Sequence, residues 1–401
     1  MVVDFPDHVL TFLQERHPPG EVAVEEAKSA QQKVWILTLV HHHPVQQQWS
    51  QSLLTGRNRL VVRQWRGSAR WWNLNNSNEA SPEDVARAEV AAYRLSYKAL
   101  PHLAMPQLLH FDATNHEYPW AIFSYVGEHS THFDDRRKYT MEWVDSMVKV
   151  RHEFGFDEPH PRWGRVPVEQ AVEYTLKVLR TVTIPLHQHL ANNPSQEWYD
   201  LTNNGHATTY ADMVLLYEES HSRITERLRN SDSNDKKLQK VTDILGKCIA
   251  RLSTEASTIK PLSPVLVHID CQPQNLLFCR SDGEHTFISS ILDWEEAAYA
   301  DPRFELLLLC RKVCANREQA DIVWKTYEEE CQPLGQIEPW LRLETVHSVT
   351  TLVLQSMDLL GGGRSPWETK PDLLDKIERE FHRLIGLSWL FCTDVVAQRR
   401  V

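Results

Sequence analysis

Between Val265 and Leu292 the chain passes through two apolar runs, VLV and LLF, with His268, Asp270 and Asn275 set between them. It then enters a third run, TFISSIL, that delivers Asp293 at its end. Asp282-Gly283 separates the second run from the third, and an Asp-Gly pair between apolar segments is a strong two-strand hairpin signal. Closing that hairpin carries Asn275, at the start of one strand, to Asp293, at the mouth of the other. Asp270 lies in the loop just before. Any fold this chain adopts must therefore hold two carboxylates and an amide at one end of a buried hairpin. Neighbouring like charges need a cation. Oxygen ligands with room left for water and phosphate suit Mg²⁺.

The rest of the sequence divides by pattern around Val126. Before it, KVWILTLV (33–40), NRLVVRQW (58–65) and PWAIFSYV (119–126) are rich in β-branched and aromatic residues and bounded by polar turns. One helix interrupts them, SPEDVARAEVAAYRLSYKAL. Ser81 suits its N-cap, Pro82 its first turn, and Asp84 completes an S-x-x-D start. From about Met141 the spacing becomes helical, as in VEQAVEYTLKVL, YADMVLLYEE and DKKLQKVTDILGKCIARL. An α+β architecture of two lobes is expected, a small sheet-bearing one over 1–126 and a larger helical one over 127–401.

Composition excludes several classes. A net charge of −11 leaves no surplus of Lys and Arg to neutralise a nucleic-acid backbone. The longest apolar runs, such as ELLLLC, fall far short of a membrane span. Seven cysteines, all in the second half and with no C-x-x-C pair, argue against a disulfide framework or a zinc site and for a reducing compartment. The opening MVVDFPDHVLTFLQERHPPG is acidic where a signal peptide is basic and then apolar. A cytoplasmic protein with no membrane or nucleic-acid partner is expected. The run His41–His43 reads as part of a solvated turn, because successive side chains on an extended chain point to alternate sides.

Two segments now carry a resemblance. HIDCQPQNLLF, with Pro273, resembles the H-G-D-x-x-P-x-N pattern of the aminoglycoside phosphotransferase-type small-molecule kinases, a protein-kinase-like group that includes choline kinases. ILDWEEAAYADPRFEL resembles that group's I-D-W-E segment followed by G-D-P-x-x-D-L. The resemblance implies transfer of the γ-phosphate of Mg²⁺-ATP to a hydroxyl of a small molecule. Asp270 would be the catalytic base orienting that hydroxyl, and Asn275 and Asp293 would hold Mg²⁺ on the nucleotide phosphates.

Such chemistry also needs a cation from the small lobe. Val61, Arg63 and Trp65 share one face of their strand by alternation, which puts Arg63 toward the phosphates and Val61 over the base. In the helix, Val85, Ala88, Ala92 and Leu95 form an apolar stripe with Glu89 beside it, and a carboxylate flanking such a stripe should be paired. An Arg63–Glu89 ion pair is the expectation. By order along the chain, Ser124, Tyr125 and Val126 would be the hinge whose backbone meets adenine.

Three residues or segments depart from the pattern. Ile269 stands where the group usually has Gly, although related protein kinases carry a bulky residue there. VEEAKSAQQKVW, where a Gly- and Ser-bearing phosphate loop is usual, has Ser29 but no Gly. Glu305 replaces a usual Asp and is placed to support the catalytic loop. His268 reads as a packed brace for that loop. Trp294 and Cys271 read as packing residues, Asp301 as a cap before Pro302, and the pair Trp71 and Trp72 as cover for the sheet. The Gly-free loop keeps a second reading open, a nucleotide-binding pseudokinase or scaffold. A protein kinase is disfavoured, because DPRFELLLL follows Asp293 too closely to leave an activation segment. Carboxylates such as Glu218, Glu219, Asp372 and Asp375 suit a cationic ligand or a solvated helix face equally. The substrate, ATP against GTP, and the oligomeric state stay open.

Overall fold

The computed structural model describes residues 5–16, 21–27, 32–40, 59–66, 81–113, 117–126, 168–190, 199–202, 206–230, 236–271, 275–280, 286–313 and 317–360. Ser29, His41–His43, Trp71, Trp72, Pro273, Asp282, Gly283, Asp372 and Asp375 lie outside them.

The first part of the chain builds a five-stranded antiparallel sheet in the order β1-β2-β3-β5-β4. Its strands are β1 (Glu21–Ala27), β2 (Lys33–Val40), β3 (Arg59–Gln64), β4 (Leu108–Asp112) and β5 (Trp120–Ser124). Alternation sorts the side chains of β3 and β5 to two faces. Leu60, Val62, Trp120 and Ile122 join Trp35 and Leu37 against α1 (Asp7–Arg16), which contributes Val9 and Leu13. Val61, Trp65, Ala121 and Phe123 turn the other way and join the main core with α2 (Pro82–Ala99). Arg63 sits between Val61 and Trp65 on that second, inward face.

Helix α2 begins as its sequence suggested. The Ser81 hydroxyl accepts the Asp84 amide hydrogen at 3.1 Å, and the Asp84 carboxylate accepts from the Ser81 amide in return. Val85, Ala88, Ala92 and Leu95 are all buried, and so is Glu89, with no exposed surface. Burying a Val or Leu side chain contributes about 1.5–3 kcal/mol. Burying a lone carboxylate costs more than any one of them returns, so Glu89 must be partnered.

The described residues from 168 to 360 are mainly helical, with long helices at Tyr210–Asn230, Lys236–Ala256, Arg317–Glu330 and Glu338–Leu360. Between Val168–Val178 and Ile184–Leu190 the helix widens to a π turn at Leu179–Thr183. Two small antiparallel pairs carry the polar motif. β6 (Val265–Val267) pairs with β9 (Ala298–Ala300), and β7 (Leu276–Arg280) pairs with β8 (Thr286–Ile291). The β7–β8 pair is the hairpin predicted around Asp282-Gly283, with Leu276 opposite Ile291. Among the described residues no helix is long and apolar enough to cross a membrane.

Candidate active site

β7 and β8 determine where the polar residues of the motif meet. The Leu292 amide donates to the Asn275 carbonyl at 2.8 Å, so Asp293 lies one residue past the partner of Asn275. Asn275 turns its side-chain amide to the loop before it. Nδ2 donates to the Asp270 carbonyl at 2.9 Å and to its carboxylate at 2.7 Å, which fixes Asp270 and leaves Asn275 Oδ1 as the amide's remaining acceptor. His268, fully buried, pairs through Nε2 with the Leu292 carbonyl at 2.9 Å and lies against the Trp294 ring, centroids 4.4 Å apart. The catalytic-loop segment and the Asp293 segment are thus one hydrogen-bonded unit.

The backbone here is strained at two places. Ile269 has φ 66° and Asp293 φ 64°. For a β-branched residue the left-handed region is a true outlier, costing roughly 1–2 kcal/mol, and this is the conformation that a Gly would supply freely. Ile269 is held there by a buried hydrogen bond, its amide donating to Glu305 Oε2 at 2.7 Å. Glu305 is itself buried. The longer acidic side chain at 305 and the bulky residue at 269 are therefore parts of one contact.

Arg63 enters this unit from the sheet. Its Nε lies 3.1 Å from Glu89 Oε2, and Nη2 donates to Asp293 Oδ1 at 3.0 Å and to Glu295 Oε2 at 2.8 Å. Trp65 Nε1 donates to the same Glu89 oxygen at 2.6 Å. One guanidinium therefore faces three carboxylates. Burial works to lower the Arg63 pKa, but Glu89, Asp293 and Glu295 together raise it and keep the group charged. Burial is the largest influence on the Glu89 carboxyl and pushes it upward, as do Asp293 and Glu295, while the Arg63 charge and the Trp65 hydrogen bond oppose them and favour the ion pair. Glu295 is shifted upward by burial and then by Asp293, with Arg63 and the nearby Gln32 side chain opposing. Gln32 Oε1 also accepts the Arg66 amide hydrogen at 2.9 Å, tying the start of β2 to the end of β3.

Ser124, the first of the expected hinge residues, is tied to β4. The Ser124 amide donates to the Gln107 carbonyl, and the Gln107 amide donates to the Ser124 hydroxyl, both at 2.8 Å. Ser124 closes the start of β4 onto β5, so its N–H is committed within the sheet. Tyr125 and Val126 follow, half-buried, with the Arg59 guanidinium 4.3 Å from the Tyr125 ring centre.

Glu295 and Tyr93 were not singled out by pattern. Glu295 lies two residues past Asp293, where no spacing rule marks it. Tyr93 follows Glu89 by one helical turn, a spacing that puts both on one face of α2. Its hydroxyl accepts the Asp293 amide hydrogen at 3.2 Å.

Among the described residues no three His, Cys, Asp or Glu side chains converge into an all-protein metal cage. Mg²⁺ does not need one, since it binds through one or two carboxylates together with substrate phosphates. The donor set of Asp293, Asn275 Oδ1 and Asp270 is all oxygen, as that ion requires. The three carboxylates around one guanidinium add a surplus of negative charge beside it. The residues fit.

The profile of the phosphotransferase enzyme family matches residues 42–340, three-quarters of the chain. The chain belongs to that family. No curated protein sequence matches this phosphotransferase significantly. Solved structures match it over nearly their whole length. One is the GDP and kanamycin complex of APH(2″)-IIIa, at 13% identity and TM-score 0.53, covering 95% of this chain and 98% of that one. Another is the GDP complex of wild-type aminoglycoside 2′-phosphotransferase-IIIa, at 14% identity and TM-score 0.51, covering 94% and 98%. A third is the streptomycin–ATP–APH(2″)-IIa ternary complex, at 12% identity and TM-score 0.50, covering 96% and 97%. At these identities the likeness is one of fold. The phosphotransferase has the two-lobed, protein-kinase-like α+β architecture, a small antiparallel sheet lobe with a larger helical one.

Proposed function

We propose that this phosphotransferase moves the γ-phosphate of Mg²⁺-bound ATP onto a hydroxyl of a small molecule, held between the lobe of residues 1–126 and that of 127–401. The observation that carries this reading is Asp270 held by Asn275, in the hairpin that leads to Asp293, with the Asp293 carboxylate on Arg63 and its buried partner Glu89. A strained, under-neutralised polar cluster of this kind serves no packing purpose.

Asp270 would accept a hydrogen bond from the substrate hydroxyl, orient it, and take its proton as the new P–O bond forms. The amide of Asn275 keeps the Asp270 side chain in one rotamer, so the base is positioned before substrate arrives. Asn275 Oδ1 and the Asp293 carboxylate would hold Mg²⁺, which neutralises the charge of the β- and γ-phosphate oxygens when bound. Arg63, kept charged by its three carboxylates, would supply fixed positive charge to the phosphates, with Glu89 and Trp65 setting its direction. Val61 would cover the base, and backbone groups of Tyr125 and Val126 would meet its edge. The related complexes hold ATP in one case and GDP in the other two, which supports a purine nucleotide as phosphate donor; GTP is titrated beside ATP to settle which.

Calorimetric titration of ATP with and without Mg²⁺, into wild type and Asp293→Ala, tests the reading. Expected are binding that strengthens with Mg²⁺ in wild type and loses that gain in the variant. Asp270→Asn should bind nucleotide normally and turn over no acceptor. Binding that ignores both Mg²⁺ and Asp293 would sink the assignment.

A further inference from the structure

Asp293 is gripped at both ends by groups that α2 anchors. Its carboxylate meets Arg63, which Glu89 holds, and its amide donates to the Tyr93 hydroxyl at 3.2 Å. Glu89 and Tyr93 are one helical turn apart, so a single helix face supplies both contacts. The Tyr93 ring continues the link. It lies 4.8 Å from the Phe123 ring in β5 and 6.3 Å from that of Trp294, which packs in turn on His268 at 4.4 Å. Tyr93 is only 6% exposed, and burial keeps its phenol protonated.

Asp293 needs such a grip because its backbone is left-handed, with φ 64°. Asp enters that region more readily than most residues, but it stays there only where its surroundings over-determine it. The neighbouring contacts act on Leu292, through the Asn275 and His268 bonds, and on the Trp294 ring. The amide of Asp293 itself is assigned to Tyr93.

We propose that Tyr93 is a positioning residue, whose hydroxyl holds Asp293 in the left-handed backbone that presents its carboxylate for metal binding. The proposal rests on the reading of Asp293 as a Mg²⁺ ligand. It makes α2 the element that sets metal affinity from across the cleft, through a contact separate from the Arg63–Glu89 pair.

Removing the hydroxyl lowers the fraction of molecules with Asp293 in place, and the apparent affinity falls by that fraction. For one hydrogen bond the expected loss is about 3- to 10-fold. The test is calorimetry of ATP, with and without Mg²⁺, on wild type, Tyr93→Phe, Asp293→Ala and the double variant, with thermal unfolding of each as a check on folding. Tyr93→Phe keeps the ring and its packing. Expected are an Mg²⁺-ATP Kd raised about 3- to 10-fold, an unchanged Kd for ATP without metal, and no further loss in the Asp293→Ala background. If wild type shows an Asp293-dependent Mg²⁺ gain and Tyr93→Phe keeps it within about twofold, the positioning role is overturned and the metal site stands. An equal loss with and without metal, or in the Asp293→Ala background, overturns it too, because Tyr93 then acts on nucleotide packing. If wild type shows no Mg²⁺ gain, the phosphotransferase reading falls and takes this role with it.

Discussion

Two buried arginines in this molecule solve the same problem in opposite ways. Arg303 pairs with Asp301 through two parallel bonds, Nε to Oδ1 at 2.8 Å and Nη2 to Oδ2 at 2.6 Å. Two more of its protons go to the carbonyls of Leu334 and Lys260, and the Trp340 ring lies 4.5 Å away. Asp301 accepts also from the Arg303 and Leu262 amides. Charge balances, and both carboxylate oxygens are used. Arg63 instead faces Glu89, Asp293 and Glu295 at once. There Glu89 Oε1 and Arg63 Nε lack aligned hydrogen bonds among the described residues. A buried ion pair recovers its desolvation cost only when its remaining protons and lone pairs are satisfied. The saturated pair therefore belongs to the architecture, and in the proposed function the unbalanced cluster would be completed by a cation and phosphate.

The largest expected effect lies in the saturated pair. Asp301→Ala leaves Arg303 charged and buried with no counter-ion, and should cost about 3–5 kcal/mol in urea unfolding. Nucleotide affinity of the molecules that remain folded should not change. A cost below about 1 kcal/mol, the range of an exposed pair, would erase the contrast between the two arginines.

Glu305 is next. Glu305→Ala strands the Ile269 amide inside the protein and releases a strained residue just before Asp270. About 1–3 kcal/mol of stability should be lost. Turnover should fall more than Mg²⁺-ATP affinity, because the base moves while Asn275 and Asp293 keep their hairpin. If nucleotide binding collapses in parallel with turnover, the loop and the hairpin are less separable than their hydrogen bonds imply.

A third buried polar residue carries no charge at all. His187 is 1% exposed, pairs through Nδ1 with the Tyr327 hydroxyl at 2.8 Å, and is pushed by burial down to about 3. Unfolded, its imidazole titrates near 6.5. A depressed value means the contribution is intact above about pH 6.5 and is lost as pH falls toward 3, at about 1.4 kcal/mol per unit. His187→Phe should remove about one proton's worth of that acid slope when urea unfolding is followed from pH 7 to pH 5. An unchanged slope would mean the imidazole is reached by water before the protein unfolds.

Much of this arrangement was legible before any coordinates. Local rules are enough for the capping box at Ser81, the alternation along β3 and the β7–β8 hairpin, because each depends on residues close in sequence. The Arg63–Glu89 pair also follows, since a carboxylate beside an apolar stripe demands a partner and the strand offers Arg63 on the right face. Tyr93 was not legible. Its bond to Asp293 joins residues two hundred positions apart and depends on how the lobes dock, which no periodicity encodes. Ser124 ends β5 where the sequence pattern runs on to Val126, and pattern does not tell whether a terminal amide faces a ligand or the next strand. Ile269 looked tolerable as a side chain, and only its φ shows what the position demands.

The smallest effect is the sharpest test of the comparison, because it reverses the usual sign. Glu295 lies beside Asp293, shares Arg63 with it and is shifted upward by burial and by that neighbour. Glu295→Gln keeps a hydrogen-bonding side chain and removes one of the three negative charges around Arg63. In the ligand-free protein, relief of like-charge repulsion should offset the weaker bond to Arg63. The variant should then be as stable as wild type or up to about 1 kcal/mol more stable. Its advantage should be absent in acid and grow as pH rises past about 4.3, where the unfolded chain ionises readily and the folded site resists. Mg²⁺-ATP binding should weaken in the same variant, because in the proposed function the surplus charge of the cluster would attract the cation. Stability and ligand affinity moving in opposite directions is the mark of a site kept unbalanced for its ligand. A loss of about 3 kcal/mol or more, the cost of breaking a buried pair, would place Glu295 with Asp301 among the residues that hold the fold.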